Sequence, residues 1–117
     1  MNDLADQKFQ PFRKGDKALS DAEISRLLSS LTGWQIVERE SIPRLEKSYS
    51  FESFRAALDF ANMVGELAEK EDHHPAILIS WGRAAVSWWT FDVDGLHTND
   101  FILAARTDQI YQSGSWE

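Results

Sequence analysis

Between Phe51 and Ala68 the apolar residues Phe51, Phe54, Leu58, Ala61, Val64 and Ala68 recur at steps of three or four, the period that gathers side chains onto one stripe of an α-helix. This pattern constrains the fold more than any other in the chain. The spacing predicts a helix from about Glu52 to Glu71. Pro75 sets its limit, because the proline ring disfavours helical geometry at His74 and pushes that residue to an extended form. A helix with one apolar face must lay it against a partner layer.

The segments on either side supply that layer. Ser20 followed by Glu23 matches a capping box, in which each side chain satisfies a backbone N–H at a helix start. A first helix then runs to about Leu31, with Ile24, Leu27, Leu28 and Leu31 on one stripe and Gly33 ending it. Trp34–Glu38 and Leu45–Tyr49 read as two strands joined by a turn-rich stretch containing Ser41 and Pro43. Ile77–Trp81 and Ala84–Phe91, separated by Gly82-Arg83, read as a second hairpin rich in β-branched and aromatic residues. Asp92-Val93-Asp94-Gly95 reads as a turn, and a last helix runs from about Thr98 to Tyr111. The expected class is α+β: a four-stranded antiparallel sheet with helices on one face, in the order α-β-β-α-β-β-α. Residues 19–112 form the single domain, after a flexible or loosely docked arm (1–18) with few large apolar residues, and before a frayed end (113–117).

A length of 117 residues allows one core, and the five Trp and seven Phe can fill it without a disulfide. Cys is absent, which excludes thiolate metal sites and Cys nucleophiles and fits a reducing compartment. No run approaches the ~18 apolar residues of a membrane span. The net charge of -7 works against binding of a phosphate backbone. With no basic-then-apolar leader in Met1–Gln10, a cytoplasmic protein is the expectation.

The residues most able to do chemistry are the adjacent His73 and His74, where Glu69, Glu71 and Asp72 and the helix end favour imidazolium. Two neighbouring imidazoles can divide the roles of general acid and general base if their surroundings separate their pKa values. The residues alone also allow a plain surface pair. A shared cation between Glu69 and His73, four apart on a helix, is a further reading, but His97, Asp94 and Asp100 have no recognised ligand spacing. No nucleophile elbow or glycine-rich phosphate loop is present. In a strand Trp88 and Trp89 face opposite ways, so one of them is expected to be exposed, most simply as a contact between subunits.

Glu69-Lys70-Glu71-Asp72-His73-His74-Pro75, with Trp81, Trp89-Thr90, Gly95-Leu96 and Asp100, resembles the pterin-4a-carbinolamine dehydratases over Leu19–Tyr111. The resemblance implies dehydration of 4a-hydroxytetrahydrobiopterin to the quinonoid dihydropterin, recycling the pterin of aromatic amino-acid hydroxylases. It implies no metal or organic cofactor, and a homodimer or homotetramer. It places His73 and His74 as the catalytic pair, Glu69 and Asp100 as accessory acids, and Pro75 with Thr90, Phe91, Asp92 and Val93 around the pterin. Two positions depart from the family pattern. Phe91 stands where active members carry a His or sometimes a Trp, and a phenyl ring transfers no proton. His97 stands where a Ser or Thr cap is usual, leaving Thr98 as the expected cap. Non-catalytic members of the family, including Rubisco assembly factors, resemble this chain in its Gly-Leu-x-x-Asn-Asp-Phe-Ile segment and give the alternative: an assembly or binding protein.

Overall fold

A computed structural model describes residues 4–10 and 13–116. Met1–Asp3, Pro11 and Phe12 of the expected arm, and Glu117 of the expected frayed end, lie outside the described residues. The elements are α1 (Asp21–Leu28), β1 (Gln35–Arg39), β2 (Ile42–Ser50), α2 (Phe54–Glu71), β3 (Ala76–Ser80), β4 (Arg83–Trp88) and α3 (Thr98–Ser113), with 3₁₀ turns at Leu4–Asp6 and Phe91–Val93. The expected α+β order is therefore present. The sheet is antiparallel throughout, in the order β1-β2-β4-β3.

Alternation sorts its two faces. Leu45 and Tyr49 of β2, with Ala84, Val86 and Trp88 of β4, are buried under α2 and α3. The helix-facing layer is pinned by polar contacts as well. Asp108 of α3 accepts from Trp34 Nε1 (3.1 Å), Lys47 Nζ (2.9 Å) and Tyr49 Oη (2.5 Å), which satisfies a carboxylate and three donors at once. Burial first, then the Asp108 carboxylate, pushes the Tyr49 hydroxyl pKa up.

Local chemistry sets the helix bounds. The Ser20–Glu23 capping box is formed. However, α1 stops at Leu28 instead of Leu31, where the Ser29 hydroxyl donates to the Arg26 carbonyl (2.6 Å) and takes an acceptor the helix would use. Ser53 caps α2, its Oγ accepting from Ala56 N (3.0 Å). The buried stripe of α2 is rotated from the expected one: Ala57, Phe60, Ala61, Val64 and Ala68 face the core, while Phe54 is exposed. At the far end Asp72 adopts the left-handed conformation (φ 51°) and stops the helix.

Three further expectations change. The first hairpin turns on Glu40-Ser41 alone, both with positive φ (52° and 67°), the geometry that matches strand twist, and Pro43 lies within β2 opposite Glu38. β4 ends at Trp88, not Phe91, because Thr90 leaves the sheet to bond with Gly95 (N–H to O, 2.8 Å), which closes a loop around Phe91–Val93. Neither strand Trp is bare: Trp88 is buried, and Trp89 is half-covered by the Arg44 guanidinium, 3.9 Å from its ring centroid. The exposed Trp is Trp81, 74% accessible at the β3–β4 turn. Among the described residues no helix is long and apolar enough to cross a membrane.

Candidate active site

The site forms where the end of α2 meets the start of α3. After the left-handed Asp72, the His73 backbone N–H bonds back to the Ala68 carbonyl (3.0 Å). This turns the His73 ring inward, while His74 and Pro75 lead extended into β3. Across the gap, Asp100 is the third residue of α3 and fully buried. One carboxylate oxygen accepts from the His97 backbone N–H (3.0 Å) and from the Thr90 hydroxyl (2.7 Å). The other meets His73 Nε2 at 2.8 Å. A buried carboxylate needs such donors, and three supply them.

His73 Nε2 also lies 3.1 Å from the Trp89 carbonyl oxygen. A carbonyl can only accept, so Nε2 carries its hydrogen in either charge state and Nδ1 is the position where a proton comes and goes. Burial pushes the His73 pKa down. The hydrogen bond to Asp100 and the charge of that carboxylate, with smaller contributions from the Trp89 carbonyl and Asp92, outweigh burial and hold the pKa above the ordinary histidine value. For His73 the partner that favours imidazolium is therefore Asp100 from α3; of the helix-end acids of the sequence reading, Glu71 is bonded to Arg106 and Glu69 meets His74.

His74 has different surroundings. It is half-exposed, and its Nε2 meets the exposed Glu69 carboxylate. Glu69 and His73 thus turn to separate partners and do not converge on a common point. Among the described residues no group of three or more His, Asp or Glu is placed to hold a metal ion. A cavity of about 300 Å³ is lined by Asp72, His73, His74, Trp89, Thr90, Phe91 and Asp92, at the small end of the range for small-molecule sites. Phe91, 79% accessible, offers it a flat apolar ring.

Of the residues singled out in the sequence, His73, His74, Thr90, Phe91 and Asp92 line this cavity. Asp100 stands behind it and Glu69 reaches it through His74. Pro75 and Val93 are not among its lining residues. Asp72 and Trp89 also line it, although the sequence reading assigned neither of them to the site; an Asp directly before His-His-Pro, a residue type that tolerates the left-handed region, was the available signal for the first. The cap of α3 is His97, not Thr98: His97 Nδ1 accepts from Asn99 N (3.1 Å), and Asp100 returns the bond. An imidazole nitrogen does here what a hydroxyl oxygen usually does.

The family model described as pterin 4 alpha carbinolamine dehydratase matches residues 17–110. A protein of Microcystis aeruginosa, provisionally named pterin-4-alpha-carbinolamine dehydratase, is 54% identical over 96% of this chain and 97% of its own length. A protein of Vibrio vulnificus with the same provisional name is 53% identical over 80% of this chain and 84% of its own. Among solved structures, a transcriptional coactivator/pterin dehydratase from Brucella melitensis superposes with a TM-score of 0.72 at 28% identity, covering 80% of this chain and 98% of that one. A pterin dehydratase-like protein identified as a RuBisCO assembly factor in the alpha-carboxysome shares the fold, with a TM-score of 0.58 at 20% identity over 70% of this chain and 93% of its own.

Proposed function

This chain belongs to the pterin 4 alpha carbinolamine dehydratase family, and we propose that it dehydrates a 4a-hydroxytetrahydropterin, such as 4a-hydroxytetrahydrobiopterin, to the quinonoid dihydropterin by histidine acid–base catalysis. The observation that supports this reading most is the pair of unlike imidazoles on one cavity: His73 buried and bonded to Asp100, His74 half-exposed and bonded to Glu69. In the reaction the C4a–O bond breaks as the hydroxyl takes a proton and leaves as water, the N5–H proton is lost, and a C4a–N5 double bond forms. His73, held protonated by Asp100, gives the proton to the hydroxyl. His74 takes the N5 proton, its ring oriented by the contact of Nε2 with Glu69. Each such transfer is worth about 10²–10⁴-fold. Phe91 lies against the face of the pterin.

A stopped-flow assay with freshly generated 4a-hydroxytetrahydropterin tests this. Consumption faster than in buffer is expected, with His73→Ala and His74→Ala each slowing it by about 10²-fold or more. A folded wild-type chain no faster than buffer would sink the enzyme reading. Phe91 favours one alternative, since it puts a ring without a proton at the cavity mouth: a non-catalytic assembly or binding protein on the same fold, for example one serving Rubisco. That alternative expects no turnover from the wild type and none gained by restoring an imidazole at position 91.

A further inference from the structure

We infer that the N-terminal arm, Leu4–Gln10, is a clasp that holds the His73 imidazole against Asp100, with Phe9 a positioning residue for that ring; its effect on turnover rests on the dehydratase reading. The arm is fixed at three places. Leu4 is 3% exposed, part of the core, and its 3₁₀ turn packs on α3. Arg106 of α3 donates from Nε to the Ala5 carbonyl (3.2 Å) and from Nη2 to the Gln7 carbonyl (2.9 Å). Asn99 exchanges two bonds with Gln10: the Gln10 N–H donates to Oδ1 (2.8 Å), and Nδ2 donates to the Gln10 carbonyl (2.5 Å).

These anchors belong to the elements that build the site. Asn99 precedes Asp100. Arg106, while holding the arm, also bonds the carboxylate of Glu71, the last residue of α2 and two before His73. The arm therefore runs along α3 from Arg106, which also holds the end of α2, to Asn99, beside the Asp100 that bonds His73. Between the Arg106 and Asn99 anchors, Phe9 stands edge-on to His73, with ring centroids 5.8 Å apart at 80°. Trp88 lies 6.0 Å from the same ring at 49°. The imidazole is boxed by two aromatic rings while Nε2 is held by Asp100 and the Trp89 carbonyl, so rotation away from Asp100 would have to displace Phe9. Phe9 is not among the cavity-lining residues and takes no space from a ligand.

A segment this poor in large apolar residues does not fold by itself, which is why its backbone carbonyls and amide need dedicated partners on α3. The family match begins at residue 17, downstream of the whole arm.

The test compares the full-length wild type with Phe9→Ala, Phe9→Leu and Asn99→Ala, and with a chain lacking residues 1–10, each checked for folding by circular dichroism. Two quantities are read: the titration midpoint of the His73 ring by NMR without substrate, and kcat and KM separately. Phe9→Ala and Asn99→Ala are expected to lower the midpoint toward the ordinary histidine value as the Asp100 bond loosens. They should cut kcat by about tenfold or more with KM within about twofold, as misplacement of a reacting group does. Phe9→Leu should restore most of both. A midpoint that stays put, or rises because the ring has only become wetter, overturns the clasp. Removing the arm takes Leu4 from the core, so if that variant fails to fold the point variants still decide. If the wild type itself has no turnover, the dehydratase reading falls and the clasp is judged on the midpoint alone.

Discussion

Asp100 combines two tasks in one buried carboxylate, closing the first turn of α3 through His97 N and Thr90 and receiving the His73 N–H. Asp100→Asn removes the charge while keeping the shape. His73 has a raised pKa, so its use as an acid persists above the ordinary histidine range and is lost as pH rises through the raised value. In Asp100→Asn the alkaline limb of the kcat–pH profile is expected at lower pH, with kcat down by about 10–10²-fold; an unmoved limb would remove Asp100 from the mechanism. Phe91→His returns a titratable ring to the cavity and is expected to raise kcat in the same assay, whereas a fall would mean that the phenyl ring stacks on the pterin to better effect than an imidazole. The His-His-Pro run and Asp100 were legible because short motifs survive in sequence. The bond joining His73 to Asp100 was not, since the two lie 27 residues apart, and Glu71 and Asp72 looked like nearer partners.

At the scale of elements, α3 acts as the frame that β4 and the site share. Trp88 Nε1 donates to Thr107 Oγ1 (3.1 Å), which donates on to the Leu103 carbonyl (2.7 Å), all fully buried. Thr107→Val keeps the volume and deletes the acceptor, leaving the indole N–H unsatisfied. A loss of about 1–3 kcal/mol is expected in urea unfolding, and a change within about 0.3 kcal/mol would show that the bond is replaceable. Elements whose signals are local were readable: the Ser20–Glu23 capping box, the α2 period, and the stop before Pro75. Those decided by distant partners were not. The Glu40-Ser41 turn takes two positive φ angles without the Gly or Asn that announce them. The end of β4 depends on Thr90 bonding with Gly95 and Asp100, and His97 as a cap breaks the usual residue preference.

At the scale of the whole molecule, the α+β order followed from the alternation of periods along the chain, but the attachment of the arm could not, because it is made by side chains of α3 receiving bare backbone groups. The sheet leaves one feature that a lone chain handles poorly. β3 is an edge strand, paired only with β4, and its sequence Ala-Ile-Leu-Ile-Ser holds no charge and no proline, the usual devices against edge pairing. Leu78 on it is 64% accessible and Trp81, next to it in the turn, 74%. A second copy pairing along β3 would satisfy this edge and cover both side chains, giving an isologous homodimer, the commonest closed assembly and a building block for a tetramer. Sedimentation is expected to give a multiple of 13.4 kDa. Leu78→Lys and Trp81→Glu should shift it toward the single-chain mass while circular dichroism stays unchanged. Because each chain carries a net charge of -7, repulsion opposes the assembly, and association should tighten as salt rises within the screening range. A single-chain mass at high protein concentration and high salt would show that the edge stays open, and Trp81 would then be free for a different partner.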